Sequence, residues 1–233
     1  MRYAELPLPP QLHGLAVAIW TLEAEGAAGD WIEHAAAPDG CVEIIRRHAG
    51  RSIWHREQPE TFVTGLSEHP VALRFSSDAR FTGIRLWPWA WEALGGQPCP
   101  GFADDWIEAP PALAALTKGD IPANLTAALP DAPAEIARAI LTSHSVAELA
   151  TATGLQHRAL QRWFATHIGM PPRSYLRLLR FRDAIGAVHN KETLADTAAA
   201  HGYADQAHMA RDFRALAGVP PREARVRAKG PFI

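Results

Sequence analysis

Two stretches in the last third of the chain carry hydrogen-bonding side chains at helical spacing. Arg158, Gln161 and Arg162 lie in one, and Gln206, Arg211 and Arg214 in the other. Separations of three and four residues put side chains on one face of a helix. In the major groove a guanidinium forks onto guanine and an amide onto adenine, so a face of this composition is suited to reading base edges. An arginine or glutamine on a helix is ordinarily just solvated. What favours recognition here is that the pattern occurs twice, with Arg162 and Arg211 at equivalent places.

The elements that must position these residues repeat with them. Ser145 followed by Glu148 has the form of a capping box, which predicts a helix running toward Thr153 and stopped by Gly154. A second helix, from near Gln156 to Gly169, places Leu160, Phe164 and Ile168 on an inward stripe and leaves the polar residues outside. The same layout returns at Thr193 to Pro221. There Thr193 and Asp196 repeat the cap, Gly202 repeats Gly154, Met209 and Phe213 repeat Leu160 and Phe164, and Gly218-Val-Pro-Pro repeats Gly169-Met-Pro-Pro. Between the copies, Ser174 to Val188 has helical periodicity and predicts a stiff connecting helix of roughly 20 Å. Two helix-turn-helix units on such a helix, at 145–169 and 193–218, can present recognition helices about one duplex turn apart, roughly 34 Å.

From about Ala134 to Arg225 the sequence resembles the DNA-binding domain of the AraC/XylS family of transcription regulators. The second copy carries most of the match, with Gly202, Tyr203, Asp205, Gln206, His208, Arg211, Phe213, Gly218 and Pro221 at the family's places. Thr197, Met209 and Ala224 depart from it at packing positions. The resemblance implies a sequence-specific regulator, not an enzyme, that binds double-stranded DNA. It also leaves room for a small-molecule effector, a second copy of the chain and RNA polymerase as partners, while the lack of both a run of about 18 apolar residues and a signal peptide predicts no membrane and a cytoplasmic location.

The front half differs in kind. Residues 1–130 carry 9 Lys and Arg against 16 Asp and Glu, whereas 131–233 carry 14 against 9, so a nearly neutral chain hides an acidic front and a basic rear. A basic rear half suits a phosphate backbone. The opening MRYAELPLPPQ lacks the form of a signal peptide, and Cys41 and Cys99 make no disulfide framework. Short apolar runs (LAVAIWTL, CVEIIRRH, RSIWH, TFVTGL, VALRF, FTGIRLW) predict a β-rich domain. Short helices are expected after it at Pro88–Gly96, Ala109–Leu116 and Ala123–Leu129, followed by a linker at Pro130–Pro133. PDGCVEII, FVTGLSEHP and FTGIRLWPWAWEALGG resemble the N-terminal domain of an AraC-type subgroup, which in the wider family is a cupin-like barrel or sandwich. The chain is therefore expected to be α+β, with a β-rich effector or dimerisation domain at 1–130 and an all-α DNA-binding domain at 131–233.

Seven of the eight tryptophans fall in the front half, and Trp87, Trp89 and Trp91 are the candidates for an aromatic ligand wall. Core filling is the plainer alternative. Leu6, Leu8, Leu12 and Leu15 are candidates for a dimer interface. His34, His48, His55, His69 and Cys41 have no metal-ligand spacing, so neither a metal nor another cofactor is expected. The rival readings are a regulator whose front half only dimerises or recruits a partner, and a cupin-like metalloenzyme or cysteine alkyl acceptor fused to a DNA-binding domain.

Overall fold

The computed structural model describes residues 1–27, 29–189 and 193–227. Its front half is built on two antiparallel sheets. The strands are β1 (Arg2–Leu6), β2 (Ala16–Glu23), β3 (Trp31–Ala36), β4 (Val42–Ala49), β5 (Ser52–Trp54), β6 (Arg56–Glu57), β7 (Thr61–Thr64), β8 (Val71–Ser76), β9 (Arg80–Leu86) and β10 (Trp106–Glu108). One sheet has the order β1-β2-β9-β4-β7-β10 and the other β3-β8-β5-β6.

The four central strands of the six-stranded sheet, β2, β9, β4 and β7, bury side chains on both faces, while β1 at its edge is largely exposed. Ile19, Val42, Ile44, Val63, Ile84 and Leu86 join a core shared with the helices, while Trp20, Leu22, Ile45, Phe62 and Phe81 pack toward Trp54 and Phe75 of the second sheet. Apolar side chains are needed on either side, and this is why its strands read as continuous apolar runs rather than as alternation. Gly83 lies directly across from Trp20, and a Cβ there would sit 2.1 Å from the indole. The absent side chain makes room for the ring.

β1, β3, β6 and β10 were not among the expected strands. β10 follows the first helix yet returns to pair with β7, so the β domain extends past Pro88. The expected short helices form at α1 (Pro88–Ala93), α2 (Pro111–Ala115) and α3 (Ile121–Ala128), each with proline in its first turn. Of the proposed interface leucines, Leu12 and Leu15 are core residues and Leu8 packs against that core; only Leu6 is exposed.

The rear half contains α4 (Glu135–Thr142), α5 (Val146–Thr153), α6 (His157–His167), α7 (Pro172–His189), α8 (Leu194–Ala200), α9 (Gln206–Ala217) and α10 (Pro221–Arg227). The expected caps form. Ser145 Oγ accepts from the Glu148 N–H at 3.2 Å, the Glu148 carboxylate accepts from the His144 N–H at 2.8 Å, and Thr193 Oγ1 accepts from the Asp196 N–H at 3.1 Å. Gly154 and Gly218 end their helices with φ of +65° and +72°, the left-handed conformation that glycine adopts without penalty. The departure at Thr197 is accommodated because its buried hydroxyl donates to the Thr193 carbonyl at 2.9 Å.

Since the strand register leaves no space above residue 83, Gly83→Ala should destabilise the β domain by about 1–3 kcal/mol, the usual range for overpacking. Urea unfolding of the full chain measures this, and an unchanged midpoint would contradict the tight Trp20–Gly83 packing.

Candidate nucleic-acid interface and interior cavity

The second helix of each helix-turn-helix unit turns an apolar side inward. α6 buries Leu160 and Phe164, and α9 buries Met209 and Phe213. Arg158, Gln161 and Arg162 are then exposed on α6, and Gln206, Arg211 and Arg214 on α9. Among the described residues the side chains of Arg158, Gln161, Arg162, Gln206 and Arg211 have no protein hydrogen-bond or ion-pair partner, while Arg214 reaches the Ala210 carbonyl of its own helix at 3.4 Å. His208 differs. Its ring is half-buried edge-on to Tyr203, and Nδ1 accepts from the Ala204 N–H at 3.4 Å. One edge of this imidazole is therefore occupied in holding the helix start, leaving Nε2 for any outside contact.

The connecting helix α7 sets where both units stand. Phe164 of α6 packs edge-on against Tyr175 with centroids 5.9 Å apart, and Phe213 of α9 against Phe181 at 5.0 Å. Arg177 adds an ion pair at 2.8 Å to Asp212, which lies on the buried side of α9. α7 also reaches the β domain. The Tyr175 hydroxyl donates to the Gly40 carbonyl at 2.9 Å, and a Cβ on Gly40 would lie 3.2 Å from both the Tyr175 ring and Leu179. Gly40 has φ +75°, so glycine serves both the turn and the close approach of the helix. Arg182 lies 4.5 Å over the Trp87 ring, and His167 at the end of α6 contacts Glu92 of α1 at 2.9 Å.

Between the two sheets is a cavity of about 130 Å³. Its walls follow the two-residue period of the strands: Trp20 and Leu22, Glu43 and Ile45, Phe62 and Thr64, Phe81 and Arg85 from one sheet, and His34 and Ala36, Ser52 and Trp54, Leu73 and Phe75 from the other. The segment Ala36–Asp39 with Cys41 closes one side. Arg85 is the cation on the wall, directly across from Glu43 in the strand register, 2.5 Å from that carboxylate and 2.7 Å from Asp39. Burial pushes the Glu43 carboxyl above the usual range, opposed by the Arg85 guanidinium. Burial also lowers the His34 imidazole to about 4, which keeps it neutral near pH 7.

The expected aromatic wall is not where the sequence pointed. Trp87, Trp89 and Trp91 lie outside the cavity and are buried between the sheet and the helices. Trp87 and Trp89 stack at 5.2 Å, Trp89 donates to the Gly14 carbonyl at 2.7 Å, and Trp91 donates to Gln97 O at 2.8 Å. A wall for a ligand would be left with free surface; these indoles are used up in packing. The cavity tryptophans are Trp20 and Trp54. Glu43 and Arg85 were also missed, although a charged residue inside an apolar run is the informative exception in such a strand. Cys41 and Cys99 are free and buried, with burial raising the Cys41 thiol well above its ordinary value and pushing Cys99 up to about 12. Protonated buried thiols are poor nucleophiles, which disfavours an alkyl acceptor. Among the described residues no three His, Cys, Asp or Glu side chains gather as a metal site, and no helix is long and apolar enough to cross a membrane.

A β domain carrying an interior cavity, followed by two helix-turn-helix units with outward arginines, defines a DNA-binding transcription regulator. Residues 135–227 match a family model described as a helix-turn-helix domain, and residues 5–108 match one described as a domain of unknown function (DUF6597). No curated protein matches the sequence. Solved structures of ToxT from Vibrio cholerae share the fold. One, from strain O395, is 10% identical over 91% of this chain and 98% of its own, with a TM-score of 0.51. A second ToxT structure has a TM-score of 0.53 at 10% identity, covering 91% and 99%. A third, ToxT of strain O395 bound to (E)-4-(8-methylnaphthalen-1-yl)but-3-enoic acid, is 9% identical over 88% and 98%, with a TM-score of 0.51. Residues 135–227 are an AraC-type helix-turn-helix domain, and an N-terminal β domain precedes them.

His34 gives the cavity a pH signature. Unfolded, a histidine titrates near 6.5, whereas in the fold burial holds this one at about 4. As pH falls from about 6.5 toward 4, the unfolded chain takes up a proton that the folded chain refuses, so stability is lost across that window. His34→Gln should therefore lose less urea resistance between pH 7 and pH 5 than wild type does. An equal loss would contradict the buried neutral ring.

Proposed function

We propose that α6 and α9 read one operator on adjacent turns of the duplex, and that a small molecule held in the β-domain cavity controls how they are presented. The domain division falls at 130/131, between α3 and α4. Arg158, Gln161 and Arg162 contact bases from the first unit, Gln206 and Arg211 from the second, His208 through Nε2, and Arg214 contacts the backbone. The exposure of all of these except the half-buried His208, together with the lack of protein partners among the described residues at the first five, supports this assignment. Ala207 and Ala210, at contact positions, offer only methyl groups, suited to a thymine methyl. A second copy of the chain would join at the edge strand β1, where Leu6 is exposed.

One observation carries the effector half of the proposal. Pro38, Asp39 and Cys41 wall the cavity, while Gly40 between them receives Tyr175 and Leu179 of α7. An occupant that displaces this turn displaces the helix on which both recognition units stand. That the ToxT of one solved structure binds a naphthyl-butenoic acid supports looking for a ligand on this fold.

For the DNA half, Arg162→Ala and Arg211→Ala should each cost about 1–3 kcal/mol of operator binding and relax preference at a different base pair. The two positions should lie about 10–10.5 base pairs apart. Arg214→Ala should weaken all sequences alike and lower the salt slope by about one unit. Site selection with each variant separates these outcomes, and unchanged preference in both arginine variants would reassign the readout.

For the effector half, Val71→Phe fills part of the cavity from β8 and imitates an occupant. Its operator affinity should differ severalfold from wild type with the fold retained by circular dichroism. Wild-type affinity would remove the relay through the Pro38–Cys41 turn.

A further inference from the structure

The cavity's own chemistry narrows what it can hold. Its one cation, Arg85, already faces two carboxylates, Asp39 at 2.7 Å and Glu43 at 2.5 Å, and is itself almost wholly buried. An anionic ligand would bring a third negative charge into this space with no unpaired cation to meet it. His34 does not supply one, since burial keeps it neutral. A cationic ligand fares no better, because Asp39 and Glu43 are held by Arg85, and Arg182 of α7 adds positive potential beside Asp39. Charged groups enter a dry interior only when paired.

Among the described residues, one fully buried hydroxyl on the wall has no hydrogen-bond partner in the protein. Ser52 Oγ, on a residue only 1% exposed, lines the cavity and makes no hydrogen bond to the protein. Gln58, also buried, lines the cavity as well, and its N–H donates to the Ser52 carbonyl at 3.0 Å. The remaining wall is largely aromatic and aliphatic, with Trp20, Trp54 and Phe75 prominent. In size the space is comparable to an engineered cavity of about 150 Å³ that takes benzene.

We infer that this cavity takes an uncharged, single-ring ligand bearing one hydroxyl, with the ring among the aromatic walls and the hydroxyl bonded to Ser52. A hydroxyl suits the site because it both donates and accepts, so it satisfies Ser52 in either role. The inference rests on the effector reading above and names the chemical class that reading leaves open.

The test uses the full chain and four probes of nearly one shape: benzyl alcohol, toluene, benzoate and benzylamine, each titrated at pH 7 with the melting temperature as readout. A ligand that binds only the folded state raises that temperature with concentration. Benzyl alcohol is expected to bind at least about tenfold more tightly than benzoate or benzylamine, whose burial leaves a charge unpaired. Ser52→Ala should weaken benzyl alcohol about fivefold, the equivalent of one hydrogen bond, and should shift preference toward toluene. Ser52→Cys, which keeps a weak donor, serves as the second variant should the alanine protein fold poorly. Tightest binding by benzoate or benzylamine would overturn the ligand class and leave the effector reading standing. Equal binding of benzyl alcohol to wild type and to the Ser52 variants would overturn the seat at Ser52. If no probe binds while Val71→Phe still alters operator affinity, the class is wrong and the relay right. If both are silent, the effector reading itself falls.

Discussion

The guanidinium of Arg85 is the interaction on which the arrangement of this protein turns. It lies buried on a central strand of the six-stranded sheet, and a lone charge there would be costly. Glu43, its cross-strand neighbour, offsets part of that charge within the sheet. Asp39 offsets the rest from outside it, and Asp39 stands on the turn that ends at Cys41. The same Asp39 carboxylate also accepts the Cys41 N–H at 2.9 Å, which closes the turn upon itself. Thus a charge inside the strands fixes the shape of a loop. Because that loop offers the Gly40 carbonyl to Tyr175, the charge also fixes where the connecting helix begins its run across the β domain.

From there the geometry passes to the DNA-binding half by packing alone. Tyr175 and Phe181 lie six residues apart on α7, about 9 Å along its axis, and each receives the inner phenylalanine of one recognition helix. Tyr175 is therefore shared: its ring carries Phe164, and its hydroxyl holds Gly40. On the proposed relay, a displacement at the turn would reach the first unit through one side chain and the second through the stiffness of the helix. Arg177 to Asp212 ties the second unit to the same helix. A continuous apolar cluster running from Leu12 through Tyr175 to Phe213 is the physical path such a relay would take.

Much of the rear half was legible because its signals are local. Caps at Ser145 and Thr193, the left-handed glycines at 154 and 218, and the apolar stripes are each decided within a few residues of chain, and the repeat doubled the information. The front half depends on partners distant in sequence. β10 pairs with β7 across some forty residues, and nothing local in Trp106–Glu108 distinguishes a strand from the loops around it. β3, with the weak strand formers Glu33, His34 and the alanines, is held by its pairing with β8. The tryptophans misled for a related reason. Composition says that indoles will be buried, but whether they wall a cavity or fill a core depends on which face of which sheet they meet. Trp20 and Trp54 face the space between the sheets, while Trp87, Trp89 and Trp91 follow the last residue of β9 into the helical side. His208 could not be assigned from spacing either, since its ring turns back to Ala204 in the loop before α9, the helix that Asp205 caps.

The charge division along the chain gains meaning from these contacts. The acidic front half is held close to the basic rear half through Gly40 and Tyr175, Trp87 and Arg182, and Glu92 and His167. A surplus of carboxylates so near would weaken any attraction to phosphate that rested on net charge, because opposite potentials overlap within a Debye length of about 8 to 10 Å. Binding to DNA must then depend on where the exposed arginines stand rather than on how many there are. The inward side of α6 and α9 is taken up by Phe164 and Phe213, which packs them on α7 and leaves Arg162 and Arg211 on the opposite side of each helix. In the proposed reading, the orientation of two helices, set by one turn and one connecting helix, does the work that a large positive field does in less particular nucleic-acid binders.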